Sequence, residues 1–326
     1  IRTILILTVL MVIPVTGLAW YFSKSFLGAL IAAGVMILAG FLFAAVAAYL
    51  VGVIGSSSNP ISGLTLTTLL IAALLMVVLG VADGEALPAI AAVLAVATVV
   101  CCACGIAGDM MQDLKVGHIL GGTPWRMEVA EIISVVLVSF VMILPIGILH
   151  ASDIALGFSG IGGPNLPAPQ AFLMAMLATG IVGGEMAWPL VLVGMAFSVG
   201  LILIKSPSPM LIAVGMYLPL ETTFAIFVGG GIRYVLDVLM DRKGVKGGLR
   251  ARVGNNGLLV ASGLIAGEAL TGVILAIMVL AREKIPGLVF PHLVEGGSGW
   301  AMLAIFAAVV FTLLYFPMKS LKQEKS

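Results

Sequence analysis

The sequence predicts an all-α membrane protein with roughly eight to ten crossings, some of its helices broken or re-entrant. Three observations lead there. Hydrophobic residues make up 61% of the chain and charged residues 10%, against roughly 45–50% and 25% in soluble domains. No Asp, Glu, Lys or Arg occurs from Ser25 to Ala82 or from Ile154 to Gly184. A hydrocarbon core of about 30 Å takes about 20 apolar residues per helix, so the first run alone holds more than one span. These runs are continuously apolar rather than alternating, which selects helices over a β-barrel. The net charge of +1 gives no sign of a nucleic-acid partner.

The expected spans, in order, are Thr3–Phe22, Leu27–Ile54, Leu64–Ala82, Ala86–Ala107, Val129–Leu149, Ala187–Ile204, Gly257–Ala281 and Gly299–Phe316. Between Ala168 and Met240 the pattern breaks. Ala171–Val182 is too short to cross, and Pro207, Pro209 and Pro219 interrupt the later part of this region, so broken helices are expected beside at least one full crossing. Lys and Arg collect at Lys115 and Arg126, from Arg242 to Arg252, and at Lys319, Lys322 and Lys325. Short cytoplasmic loops gather such charge, so both ends are expected inside, with Asp83–Pro88, His150–Pro169 and Arg282–Ser298 outside. Arg2 leads into an ordinary span, without the pattern of a cleaved signal.

Three islands interrupt the apolar sequence with almost no charge: Gly55–Gly63, Gly160–Gln170, and Tyr217–Glu221 through Gly229–Gly231. Irregular backbone at membrane depth persists only where protein or a water-filled cavity meets its polar groups. Such breaks commonly build substrate and ion sites in secondary transporters. Asn59, Gln170 and Glu221 are therefore expected to face one central cavity, although Gly160–Gln170 reads equally well as an external loop.

A fourth island is charged. From Gly108 the chain reads Gly-Asp-Met-Met-Gln-Asp-Leu-Lys-Val-Gly, then Gly-Gly-Thr-Pro-Trp ending at Trp125. Asp109 and Asp113, spaced i, i+4, share one helical face. Following an apolar helix at its C-terminal end, they would oppose the helix dipole and call for Lys115, Arg126, a cation or a proton. A solvated loop with a local ion pair to Lys115 is the competing reading.

This wording resembles the signature of the oligopeptide transporter (OPT) family, which includes the yellow-stripe-like metal-chelate transporters. The resemblance continues through Ser56–Gly63, Leu166–Gln170, Gly183–Trp188, Tyr217–Glu221 and Ala261–Leu270. It is to the C-terminal half of the family, so the chain is expected to be a single transmembrane domain from a longer transporter, completed by an N-terminal half or by further copies. The resemblance implies proton-coupled uptake of oligopeptides or peptide-like metal chelates, in a prokaryotic inner membrane.

Asn59, Ser62, Gln170, Tyr217 and Glu221 are the candidate substrate contacts, since their amides, hydroxyls and carboxylate can meet a peptide backbone or chelate. Asn59, Asn165 and Gln170 serve equally as helix caps. Glu268, Glu221, Asp109 and Asp113 are the candidate proton carriers. Glu268 stands alone in Gly257–Ala281, and a carboxylate among apolar residues favours its neutral form, which suits it to carry a proton. Glu185 reads as interfacial, and Arg233 with Asp237 as a surface pair.

Cys101, Cys102 and Cys104 make no disulfide framework. Cys101 and Cys104 would share a face with soft-metal potential, but core packing is the simpler reading. His118, His150 and His292 have no metal-ligand spacing, so no metal, cofactor or catalytic residue is expected. No Walker A loop is present. Two alternatives stay open. Asp109/Asp113 and Asp237/Asp241 could hold magnesium against a lipid diphosphate, as in a membrane prenyltransferase. A passive channel would need a repeated filter, which the chain lacks; an intramembrane aspartyl protease would need a Gly-x-Gly-Asp context, which Gly108-Asp109 lacks.

Overall fold

The computed structural model describes residues 2–56, 59–81, 86–206, 208–284 and 299–319. Eleven helices appear among them: α1 Arg2–Ser23, α2 Phe26–Ile54, α3 Ile61–Val78, α4 Ala86–Leu120, α5 Pro124–Ala155, α6 Pro169–Val182, α7 Trp188–Leu203, α8 Pro209–Tyr217, α9 Leu220–Arg242, α10 Gly248–Lys284 and α11 Gly299–Lys319. Seven of these, α2–α5 and α9–α11, are long and apolar enough to cross a membrane. The chain is an all-α polytopic membrane protein. The loops expected outside at 83–85 and 285–298, with His292, and Pro207, Lys322 and Lys325, lie outside the described residues.

Several helices run past the expected boundaries. α4 does not stop at Ala107 but continues to Leu120. At 1.5 Å per residue Asp109 lies roughly 35 Å from the start of α4, just beyond one hydrocarbon thickness. The charges therefore mark where the helix leaves lipid, not where it ends. α10 likewise begins at Gly248, so Arg250 and Arg252 sit in its first turns and not in a loop. Conversely, α7 has 16 residues and α6 has 14, each short of a full span.

The chain divides into two compact units. The first comprises Ile1–Met142 and Ala168–Lys205, the second Ile143–Pro167 and Ser206–Ser326. In the first, α2 packs most extensively on α4. Its seam is small: Ala29, Ala32, Ala33 and Ala39 from α2 meet Ala89, Ala92, Val93, Val96 and Ala97 from α4, with Leu69, Ala72, Ala73 and Met76 from α3. Their spacing of three and four keeps them on one stripe of each helix, and small side chains let helices approach where lipid offers no hydrophobic drive. α2 starts on Ser25, whose hydroxyl accepts from Gly28 N at 3.4 Å, and ends at Gly55, whose φ of +110° suits glycine alone. The second unit has a smaller core of Leu236, Met240, Val245 and Val253.

Candidate functional site

A cavity of about 800 Å³ opens inside the first unit where the chain breaks between α2 and α3. Asn59 from that break, Ser62 and Thr65 from α3, Thr98, Cys101 and Cys102 from α4, and Gln170 and Met174 from α6 line it. The α4 residues recur at i, i+3 and i+4 and the α6 residues at i, i+4, so each helix presents one face. Among the described residues the lining carries no Asp, Glu, Lys, Arg or His. Of the five candidate substrate contacts, the fold thus gathers Asn59, Ser62 and Gln170. Tyr217 ends α8 and Glu221 opens α9, both in the second unit.

The break itself is narrower than the sequence suggested, since Ile61, Ser62 and Gly63 already belong to α3. Ser57 and Ser58 fall outside the described residues. Asn59 N–H donates to the carbonyl of Ser56 at 3.1 Å, and its side-chain Nδ2 donates across to the carbonyl of Cys104 on α4 at 3.3 Å. Asn59 is thus a bridge between elements rather than a helix cap. Its Oδ1 is buried and has no hydrogen-bond donor among the described residues. Gly108 makes the bridge possible, because a Cβ there would land on the Asn59 amide and press Val51.

The charged island resolves into two faces of α4. Gly108, Met111 and Lys115 look towards α2: a Cβ on Gly52 would touch Met111 Cγ at 3.0 Å, and Lys115 Nζ donates to Gly52 O at 3.0 Å. That carbonyl lies in the last turn of α2, where the helix leaves acceptors free and favours a cation. Lys115 therefore serves the α2 terminus and does not form the expected ion pair with an aspartate. Arg126 lies 5.5 Å from the ring of Trp125. Asp109 and Asp113 occupy the other face, inside the helix, so the expected conflict with its C-terminal dipole does not arise. Across the α4–α5 turn, Glu131 lines a pocket of about 430 Å³ with Asp113 and lies within electrostatic reach of Asp109 too. Nothing in the sequence points to Glu131. Its facing partners are distant along the chain, and only the hairpin register brings them together. His118 is in the last turn of α4.

The cysteines divide differently from expectation. Cys104 is in the core, whereas Cys101 is half-buried, Cys102 exposed, and both line the cavity. Core packing holds for Cys104 alone.

In the second unit, Glu221 lies in the first turn of α9, where a carboxylate is favoured by the helix N-terminus. Pro219 O accepts from the N–H groups of Thr222 and Thr223, so the Pro break leaves that carbonyl satisfied. Glu268 sits mid-way along α10 and makes no ion pair among the described residues. Asp237 pairs with Arg233 at 3.3 Å, as expected, and also with Arg250 at 3.5 Å, while Asp241 pairs with Arg250. Two carboxylates paired with guanidinium groups are poor magnesium ligands, which counts against this half of the prenyltransferase constellation. Among the described residues no three His, Cys, Asp or Glu side chains cluster as a metal site. The Gly160 island folds back on α5, which runs on to Ala155: buried Asp153 Oδ2 accepts from Gly160 N at 2.8 Å, and His150 Nδ1 accepts from Ile161 N at 3.1 Å. This part is a pinned turn. Asn165 falls in the same irregular segment, and Glu185 is exposed just before α7.

Comparison with known proteins decides the family. The model of the OPT oligopeptide transporter protein family matches residues 1–279. The chain belongs to the OPT family. It is 32% identical over 273 residues to a Haemophilus influenzae protein described as "Putative oligopeptide transporter", covering 76% of this chain and 42% of that protein. It is 26% identical over 208 residues to a rice (Oryza sativa subsp. japonica) protein described as "Probable metal-nicotianamine transporter YSL14", covering 56% of this chain and 27% of that one. The OPT chain thus spans less than half the length of these curated relatives. No solved structure gives a significant match.

Proposed function

We propose that this OPT chain is the C-terminal-half portion of a secondary active transporter that takes up oligopeptides or peptide-like metal chelates together with protons. The observation that carries this reading is the cavity at the α2–α3 break, largely apolar with a few uncharged polar side chains, inside a helical unit of a family of transporters. Asn59, Ser62 and Gln170 contact the cargo there, and Tyr217 and Glu221, in the second unit, are further cargo contacts at the α8–α9 break. Glu268, Glu221, Asp109 and Asp113 carry the protons, and Glu131 joins the last two because it faces them. The remainder of the fold comes from an N-terminal half or from further copies of the chain. The relatives' descriptions name oligopeptides and metal–nicotianamine, which support the cargo class. The setting is a prokaryotic inner membrane, and the chain performs no catalysis.

Uptake into proteoliposomes tests this, with and without an inward-acid pH gradient, using labelled di- to hexapeptides and ferric or cupric chelates. Saturable accumulation that needs the gradient is expected. Non-saturable flux indifferent to pH would mean a channel, and magnesium-dependent prenyl transfer would mean an enzyme.

A further inference from the structure

We infer that the cavity of the first unit is a hydrogen-bond-acceptor site that selects a protonated amine. The inference deepens the transporter reading, on which it rests only for the identity of the cargo. What decides it is where the protons on the cavity wall are spent.

Thr65 Oγ1 donates to Ile61 O at 2.8 Å, and Thr98 Oγ1 donates to Leu94 O at 2.8 Å. A hydroxyl has one proton, so each of these threonines turns only lone pairs to the cavity. Asn59 spends an N–H on Cys104 O, and its Oδ1 is left with no donor among the described residues. Turning that amide would set Oδ1 against Cys104 O, acceptor against acceptor, so the bond fixes its orientation. The wall therefore presents the two threonine hydroxyls as acceptors only, while the buried Asn59 Oδ1 contributes the negative end of its dipole without being open to contact.

Among the described residues, no lysine, arginine or histidine lines the cavity to neutralise those oxygens. A carboxylate or phosphate entering it would meet lone pairs, with Ser62, Gln170 and weak thiol donors as its whole support. An ammonium group has the opposite inventory, three N–H donors and no acceptor. In a low-dielectric setting matched donors gain and unmatched acceptors lose more than they would in water, so the preference is sharpened. For a peptide-like cargo the amino-terminal group enters this cavity, and the carboxylate end is met elsewhere.

Cys101 and Cys102 provide a readout inside the cavity that needs neither transport nor a known substrate. The full chain in detergent is treated at pH 7 with aminoethyl, trimethylammonioethyl or sulfonatoethyl methanethiosulfonate. Labelling of Cys101 and Cys102 is followed by mass spectrometry, and each rate is divided by the same reagent's rate with free 2-mercaptoethanol. The aminoethyl reagent should exceed the sulfonate by about tenfold or more, the scale of one hydrogen bond to a charged group. The quaternary reagent, with the same charge but no N–H, should fall between them. Thr98→Val should reduce the aminoethyl preference, and Thr98→Ser, which keeps the hydroxyl, should restore it. A sulfonate rate equal to or above the aminoethyl rate overturns the inference. So does a quaternary reagent that matches the primary one, or a preference that Thr98→Val leaves unchanged. A chain that labels as expected but accumulates no cargo fails the transporter reading alone; one that accumulates cargo but labels without preference fails this inference alone.

Discussion

Gly108 lies directly beneath the Asn59 side chain: a Cβ at Gly108 would occupy the position of the Asn59 amide, and the hydrogen bond from Asn59 to Cys104 would be lost. The first glycine of the charged motif and the asparagine of the Asn-Pro break are thus two halves of one contact.

This contact predicts a graded pair of mutants. Gly108→Ala should destabilise the first unit by about 1–3 kcal/mol, the usual range for overpacking, because Asn59 is short and tethered. Gly117→Ala, nine positions on, would place its Cβ on Met127, whose thioether end is free to swing aside. Its cost should stay below about 1 kcal/mol, since the clash is relieved by rotamer change. Thermal unfolding in detergent checks the pair; equal losses would show that Asn59 is not held as described.

Lys115 offers a second test. Its bond to Gly52 O ties the exit of α4 to the last turn of α2, and the group is exposed. Lys115→Met should therefore cost only about 0.3–1 kcal/mol, the range for a cation at a helix C-terminus. Asp109→Asn or Asp113→Asn should not reproduce the loss, because neither carboxylate pairs with Lys115 among the described residues. A double-mutant cycle of Lys115 against each aspartate should show no coupling; substantial coupling would restore the ion pair expected from the sequence.

How far these contacts could be read from sequence depends on how local their causes are. The long spans follow from uninterrupted apolar length, and Pro209 and Pro219 mark the ends of the short helices because the missing N–H and fixed φ act locally. The extent of α4 was not legible, since charge after an apolar run ends the lipid contact without ending the helix. Asn59, Ser62 and Gln170 were visible as polar residues in breaks. Cys102 and Glu131 were not: Cys102 depends on which face of α4 meets α6, and Glu131 on the α4–α5 register. Lys115 misled because its near neighbours in sequence are carboxylates, whereas its partner is a carbonyl sixty-three residues away.

In the second unit, Arg250 joins the start of α10 to Asp237 and Asp241 near the end of α9. All three side chains are substantially exposed, so the network should contribute no more than about 1 kcal/mol. Arg250→Ala should lower stability by about that amount or less, and the loss should shrink at high salt. If instead millimolar magnesium stabilised the Arg250→Ala protein, the aspartates would be acting as metal ligands and the diphosphate-transfer reading would return.

The sharpest test of the proposed proton coupling is Glu268. It lies mid-way along a helix that is apolar enough to span, and it makes no ion pair among the described residues. A carboxylate placed within a candidate membrane span is rare and marks ion and proton pathways, which is why Glu268 is the first carrier to test. Glu268→Gln retains the size and most hydrogen-bonding capacity but cannot titrate. Accumulation driven by a pH gradient should fall by about tenfold or more, while exchange of bound cargo, which needs no net proton movement, should continue at near the normal rate. Glu221→Gln should lower accumulation as well, since Glu221 is proposed both as a cargo contact and as a proton carrier. Its carboxylate at the start of α9 is favoured by the helix N-terminus, so this change should cost about 0.3–1 kcal/mol of stability. If Glu268→Gln still concentrates cargo with unaltered pH dependence, the carboxylate is structural and the coupling belongs to Glu221, Asp109, Asp113 and Glu131.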